Sequence, residues 1–515
     1  MISCASIQPR QDPMATVTQS QRSYTLLRAQ FGASLIILVG LVFRLRQYAA
    51  QRSLWLDEAM LARNIVERSF GQLAQPLDYN QGTPLGFLYV EKLLTEILGN
   101  RDYILRLLPL FAGCLSLYLM YRLGSYCIRG PSTFVALALF ALSDRLIYYT
   151  SELKQYSSDV LVVLLLYLAA APDLEGRATR KHHLLLAFGG AIALWFAHPA
   201  AFVLASIGFA LFLLYVARRD WGKLRWLALS GLVWVASFGL LYLASLRHLT
   251  ASRGLLDFWQ PAFMPMPPWA NLRWLTDALR YSFVDPVGLS TSLMGALLGL
   301  AGAVLLLQQR WQWGIALLLP LFLTLAASGM RLYPFGGRLL LFAVPSLLIA
   351  IGVGLEGVRS VLRRTGALAT GVWLALVVIL LWGPVVSAAD KLMKPPMGEH
   401  TRPVFAYVQS HRQPGDSIYV YYGAEHAFRY YAPMYGFDLS DYIHGMYSRP
   451  EPLKYLEDME ALRGKGRVWL LFAHVHTGSE GSEETFITRN LERFGAKSDE
   501  LKMPGASVYL FVMDK

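Results

Sequence analysis

Long apolar stretches separated by short polar ones recur along the first three quarters of the chain and then stop. About 20 apolar residues cross a bilayer, with some tolerance for shorter runs. On that measure the pattern predicts eleven spans, at 30–48, 104–127, 130–148, 157–172, 183–197, 199–217, 225–246, 290–308, 312–328, 338–358 and 367–388. The division between the fifth and sixth rests on His198-Pro199. Beyond 388 the periodicity changes. Thr401–His411, Glu451–Arg463 and Glu484–Phe494 read as helices, and Ser417–Tyr422, Arg467–Ala473 and Ser507–Val512 as strands, with Pro414-Gly415-Asp416 as a turn. Alternating strands and helices predict a small α/β domain. The predicted fold class is therefore an α-helical polytopic membrane protein with a small C-terminal α/β soluble domain. Its parts are a cytoplasmic amino-terminal segment at 1–29, a transmembrane domain at 30–388 and an extracytoplasmic domain at 389–515.

Basic residues mark the cytoplasmic side of such a chain. With the amino terminus inside, the inside segments carry Arg10, Arg22 and Arg28; Arg122 and Arg129; Arg177, Arg180 and Lys181; Arg218, Arg219, Lys223 and Arg225; Arg310; and Arg359, Arg363 and Arg364. The short outside loops carry only Lys154 and Arg331. Three longer segments fall outside: 49–103, 247–289 and the tail from 389. In the first, apolar residues recur at helical spacing over 59–74 and again over 85–98. These predict two interfacial helices lying on the headgroup boundary, with no third element nearby in the chain to cover them.

Composition narrows the class. Of 515 residues 55% are hydrophobic and only 16% charged, too few charges to coat several soluble globules. The net charge is +12, yet the tail from 389 holds 15 Lys/Arg against 17 Asp/Glu, which leaves +14 on 1–388. An excess confined to the hydrophobic part points to membrane orientation and anionic lipid, not to nucleic acid. Cys4 sits in a polar leader, while Cys114 and Cys127 lie in apolar helices, with no metal or disulfide spacing. Met14 is an alternative start, and the first apolar run reads as a retained anchor rather than a cleaved signal. No strand of the tail is followed by a phosphate-binding glycine fingerprint.

Ionisable residues at span ends are costly and so are functional candidates. Asp57-Glu58 directly follows the first span; a carboxylate there can take a proton from an incoming hydroxyl, or Asp57 can simply cap a helix beginning at Glu58. The loop after the third span packs Tyr148, Tyr149, Glu152, Lys154, Tyr156 and Asp159 together. Lys154 suits a phosphate and Tyr156 can donate to the same group; snorkelling and an aromatic belt explain the lysine and tyrosines but not Glu152 or Asp159. Arg331 and Arg338 flank a Pro/Gly-shaped loop entering the tenth span and suit a phosphate headgroup, or serve as anchors. His198 reads as a turn residue first and a ligand second. Spacing alone yields an interfacial site with a carboxylate base and several cations.

Trp55-Leu-Asp57-Glu58-Ala after the first span resembles the aspartate–glutamate motif of GT-C superfamily membrane glycosyltransferases. The nearest branch is that of dolichyl-phosphate-mannose protein mannosyltransferases and lipid A aminoarabinose transferases, glycosyltransferase family 39-like. Thr83-Pro84-Leu85, the run from Gly99 through Arg106 to Pro109, and Ser151-Glu152-Leu-Lys154-Gln-Tyr156 resemble further motifs of that branch. The resemblance implies an inverting transfer of a sugar from a polyprenyl-phosphate-linked donor to a lipid, glycan or protein acceptor of the cell envelope, at the outer face of a bacterial plasma membrane. It implies Asp57 as general base with Glu58 in support, and Glu152, Lys154, Tyr156, Arg331, Arg338 and His198 as substrate-binding residues. No cofactor follows firmly from it; some relatives are metal-assisted, which leaves a divalent cation near Asp57 open. Family members often carry a basic residue before a Pro-Pro pair where this chain has Gln81-Gly82-Thr83-Pro84, a departure that shifts the phosphate contact toward Lys154.

The rival reading is a transporter or flippase of undecaprenyl-linked lipids without glycosyl transfer. Secondary transporters often show inverted repeats and helices broken at the midplane. Here no repeat is evident, and the charges cluster at one interface.

Overall fold

The computed structural model describes residues 13–362, 366–449, 451–478 and 481–513. Cys4, Arg10, Arg363 and Arg364 lie outside the described residues, as do the side chains of Arg22 and Arg28. Each of the eleven predicted spans falls on a helix. Among the described residues nine helices are long and apolar enough to cross a membrane, and ten when a bent pair is counted as one span. The remaining predicted span, 183–197, falls on Arg180–Phe196, a helix of 17 residues pinned to the neighbouring helix Trp221–Leu241 by the Trp234 indole, which donates to the carbonyls of Leu186 and Ala187.

The predicted third span is broken. Ser132–Leu142 and Asp144–Ser151 meet at 51°, because Ser143 adopts an extended backbone that ends the first helix. Asp144 at the break accepts from Ser387 and pairs with Lys391, which ties the bend to the last span. The break turns the chain so that residues 149–155 run back into the protein, and most of that stretch is buried. The helices Ser292–Gln309 and Val344–Leu362 cross closely at Gly302 and Gly354. A Cβ on either glycine would collide with the carbonyl of Ala350 or Leu298, so only glycine permits this approach.

Past the helix of the last predicted span, Ala367–Met393, the chain forms a small α/β unit. Its strands are β1 Ser417–Val420, β2 Ile443–His444, β3 Arg467–Ala473, the short hairpin β4 Thr477–Gly478 and β5 Gly481–Ser482, then β6 Gly495–Met503 and β7 Ala506–Met513. The main sheet has the order β2-β1-β3-β7-β6, parallel on the β1 side and antiparallel between β3, β7 and β6. Period-two alternation along β3 sends Val468, Leu470 and Phe472 to one core and Trp469, Leu471 and Ala473 to the other.

That second core overturns one expectation. The helix Leu56–Glu67 does not lie uncovered on a headgroup boundary: Leu61, Ala62 and Ile65 are buried in one cluster with Phe405, Phe428, Tyr431 and Trp469 of the C-terminal unit. The covering element is some 360 positions downstream, the helix Glu425–Tyr431, and so was invisible to a search of neighbouring sequence. The stretch 59–74 is also two helices, since Arg68 turns extended and Ser69 caps a new turn at Phe70–Leu73. The second helix keeps Leu93, Ile97 and Leu98 exposed, as an interfacial element would.

Candidate active site

The helix Leu56–Glu67 begins at Leu56, with Trp55 in the capping position. Asp57 is therefore its second residue and not its cap. Its Oδ2 accepts from Arg338 Nη2 at 2.7 Å, and Lys154 Nζ stands 3.9 Å away. Arg338 is held in place by aromatic faces, its guanidinium lying 5.9, 5.6 and 5.6 Å from the rings of Trp55, Tyr156 and Trp259. Lys154 also donates to Gln81 Oε1 at 2.6 Å. It pairs with neither Glu152 nor Asp159. Burial pushes the Asp57 carboxyl up, but the charges of Lys154 and Arg338 and the Arg338 hydrogen bond outweigh it and hold it below its ordinary range. Burial in turn pushes the Lys154 ammonium down, against the opposing pull of Asp57.

Glu58 faces away from this cluster. It is fully buried, with Oε2 at 2.8 Å from Arg52 and 2.7 Å from Arg106, and Oε1 accepting from Arg106 Nε at 2.9 Å and the Leu153 amide at 2.7 Å. Burial raises its carboxyl, and the two guanidiniums more than reverse that. The two carboxylates are divided, as successive helical residues about 100° apart allow: Asp57 opens to the site, and Glu58 clamps the start of its helix to the chain at 151–153. Glu152 lies beside the clamp, fully buried, 3.7 Å from Arg52, and neither of its carboxylate oxygens has a hydrogen-bond partner among the described residues. Burial and the nearby Glu58 charge push its carboxyl up to about 7.

The structure brings Asp57, Lys154, Tyr156 and Arg338 together and places Glu152 behind them. Two predicted residues do not join. Arg331 is exposed on a left-handed turn, and no ion pair among the described residues ties it to the cluster. His198 sits at the turn between Arg180–Phe196 and Ala200–Ala217, and its buried Nε2 has no hydrogen-bond partner among the described residues; burial lowers its imidazole to about 4, so it serves as a neutral turn residue. Arg52, Arg106, Gln81 and Trp259 were missed. The two arginines sit at the ends of spans, where buried charge is a standing signal. Gln81 occupies the very stretch in which a basic residue was wanting.

From the C-terminal unit, Glu399 Oε2 accepts from the Leu56 amide at 3.0 Å, and Glu399 Oε1 lies 2.6 Å from His474 Nδ1. The His474 charge is felt at Asp57. A divalent cation does not fit at Asp57 in this arrangement. Its carboxylate is already flanked by two cations, the nearby acids Glu58 and Glu399 are spent on other partners, and among the described residues no group of three His, Cys, Asp or Glu side chains is placed to hold a metal.

No protein-family model and no curated protein sequence matches the chain. Solved structures do. The archaeal oligosaccharyltransferase AglB from Archaeoglobus fulgidus, in complex with an inhibitory peptide and a dolichol-phosphate, aligns with a TM-score of 0.51 at 11% identity over 93% of this chain and 74% of that one. The Archaeoglobus fulgidus oligosaccharyltransferase complexed with Zn and sulfate aligns with a TM-score of 0.51 at 12% identity, over 84% and 67%. ArnT from Cupriavidus metallidurans in the apo state aligns at 0.46 and 12% identity, over 95% and 98%. The chain shares the fold of the Archaeoglobus fulgidus oligosaccharyltransferase.

Proposed function

We propose that this GT-C-fold chain is an integral membrane glycosyltransferase that moves a sugar from a polyprenyl-phosphate-linked donor to a hydroxyl of a cell-envelope acceptor. The observation that carries the proposal is the Asp57 carboxylate, kept ionised at a helix start between Lys154 and Arg338. The archaeal oligosaccharyltransferase of like fold binds a dolichol-phosphate, which supports a polyprenyl-phosphate donor here.

The chemistry then divides between the groups. Asp57 takes the proton from the acceptor hydroxyl as its oxygen attacks the anomeric carbon from the face opposite the phosphate. The new C–O bond forms as the bond from the anomeric carbon to the phosphate oxygen breaks, the electron pair stays on polyprenyl phosphate, and the anomeric configuration inverts. The leaving phosphate gains a negative charge, and Lys154 and Arg338 are the cations placed to meet it. Fixed cations aimed at charge that develops during the reaction are worth about 10²–10³ in rate. Glu58, Arg52 and Arg106 hold the helix start so that Asp57 needs no rearrangement. The lysine and arginine bias supports a working face on the side opposite the cytoplasm, and the family resemblance supports a bacterial plasma membrane as its place.

Asp57→Asn tests this directly. It keeps the shape and removes the base, and loss of a general base costs about 10²–10⁴-fold. Release of polyprenyl phosphate from a labelled donor should fall by that factor in membranes holding normal amounts of protein. A carrier of lipid-linked sugars would release no polyprenyl phosphate in either form, and a wild-type release rate in Asp57→Asn would overturn the assignment of Asp57 as base.

A further inference from the structure

The C-terminal unit contains a cavity of about 360 Å³ whose walls include Glu399, His474, Glu484, Lys502 and Ser507. Two of these residues tie it to the site. Glu399 bridges the Leu56 amide, one residue before Asp57, and the His474 ring. His474 ends the run of β3 with a left-handed backbone, φ 50°, a conformation that non-glycine residues seldom adopt without cause.

The walls are chemically mixed. Glu484 Oε1 accepts from Ser507 Oγ and Tyr509 OH, each at 2.5 Å, which leaves Glu484 Oε2 without a hydrogen bond among the described residues. The Lys502 ammonium lies over the Tyr509 ring at 5.5 Å and is 62% exposed. His474 commits Nδ1 to Glu399, and Nε2 makes no hydrogen bond among the described residues. Its bond to Glu399 raises the imidazole above its ordinary value against the effect of burial, which favours the imidazolium with two donors. Donors and acceptors share the space with an apolar strip of Val475, Met503 and Ala506, a lining that suits the C–H face of a sugar ring as well as its hydroxyls. A hydroxyl-rich ring, which must both give and receive hydrogen bonds at neighbouring positions, matches that surface.

We propose that this cavity receives the acceptor, that the acceptor is a carbohydrate, and that His474 is an acceptor-binding residue that leads its nucleophilic hydroxyl toward Asp57. The inference rests on the glycosyl-transfer reading above and adds the acceptor's class and place. The proton still passes from the hydroxyl to Asp57 and the electron pair still leaves with polyprenyl phosphate; His474 exchanges no proton with the reacting atoms.

The test uses the full chain in lipid nanodiscs, a panel of labelled short-chain polyprenyl-phosphate-linked sugars, alkyl glycosides as surrogate carbohydrate acceptors, and serine- and threonine-containing peptides as the contrary arm. His474→Asn is the informative variant, because asparagine tolerates the left-handed backbone and so spares the turn. Two rates are read: donor hydrolysis with water as acceptor, and transfer to the alkyl glycoside. The expected result is transfer by the wild type and, in His474→Asn, a KM for the glycoside raised at least tenfold with donor hydrolysis lowered by a clearly smaller factor. Lys502→Cys should transfer less after reaction with a bulky maleimide than before it, with a smaller loss of hydrolysis. Equal loss of hydrolysis and transfer in His474→Asn would overturn the acceptor role and make His474 part of the donor site or the fold. Donor hydrolysis with no glycoside modified, or with peptide modified instead, would overturn the carbohydrate class. If the wild type cleaves no donor above the Asp57→Asn background, the glycosyl-transfer reading itself falls and takes this inference with it.

Discussion

Arg338 reaches Asp57 across 281 positions of sequence to make a 2.7 Å charge-assisted hydrogen bond, and three aromatic rings hold the guanidinium there. A lysine could supply the charge but neither the planar stack nor the fork. Arg338→Lys should therefore lower turnover by about tenfold, and Arg338→Ala by about 10²–10³-fold. The sign of the accompanying pH effect is fixed. Arg338 helps hold the Asp57 carboxyl low, so its removal lets that carboxyl rise, and the acid limb of kcat/KM against pH should move to higher pH in Arg338→Ala. An acid limb that stays put would mean that Asp57 is not the group being titrated.

Glu58 should behave oppositely to its neighbour. Neutralising it leaves Arg52 and Arg106, both buried, facing each other without their shared partner. Breaking a buried ion pair from one side costs about 3–5 kcal/mol. Glu58→Gln should lower the midpoint of thermal unfolding in detergent and the yield from membranes, whereas Asp57→Asn should leave both near wild type. Thermal melts of the two variants side by side separate the positioning carboxylate from the chemical one.

Topology gives a test independent of the chemistry. The segment 49–103 and the C-terminal unit share one hydrophobic core, so they lie on the same side of the membrane. An even number of crossings must separate them, and the ten predicted spans after the first meet that condition. A reporter active only outside the cytoplasm, fused after residue 515, should be active, and one fused in the 218–225 segment should be silent. The reverse pattern would invert the whole assignment.

How far the sequence could be read follows from the range of each interaction. The spans, the helix Thr401–His411 and the strand Arg467–Ala473 are local patterns of apolar spacing, and they appear where that spacing put them. The proximity of Lys154 to Asp57 was also legible, because a missing basic residue near Pro84 left a charge to be met. Arg338 was a candidate for the phosphate, but its bond to Asp57 was not foreseeable from a motif. The clamp of Arg52 and Arg106 on Glu58 was missed for a related reason. That the two carboxylates enter different environments was legible, since successive helical residues point about 100° apart, but which arginines meet Glu58 is set by long-range packing. The cover of Leu56–Glu67 and the approach of His474 depend on the packing of a distant unit, which periodicity does not report.

Glu152 supplies a dependence of stability on pH. Its carboxyl rises from 4.5 to about 7 in the folded protein, so the folded state binds the proton more tightly than the unfolded one. Stability should then fall as pH rises from about 4.5 to about 7 and level off above, as far as this group contributes. Glu152→Gln cannot ionise, and its melting temperature should lose that decline. Parallel curves for wild type and variant across pH 5–8 would show that Glu152 does not titrate there.

Lys154 carries the most exposed prediction, because its neighbours in the loop do not explain its place. It pairs with neither Glu152 nor Asp159: the ammonium lies 3.9 Å from Asp57 and 2.6 Å from Gln81 Oε1. Two accounts remain. In one, Lys154 only holds Asp57 ionised; in the other, it also meets the charge growing on the leaving phosphate. They differ in how the loss depends on the leaving group. Lys154→Gln should lower kcat by about 10²–10³-fold with a smaller effect on donor KM, since a contact that strengthens in the transition state acts on kcat. Lys154→Arg should recover part of the rate, because a point charge matters more than shape at this position. A donor whose phosphate is a better leaving group, such as an aryl phosphate-linked sugar, develops less charge there and should show a smaller defect in Lys154→Gln than the polyprenyl donor does. A defect of the same size with both donors, together with an acid limb shifted upward as in Arg338→Ala, would reduce Lys154 to a keeper of the Asp57 charge.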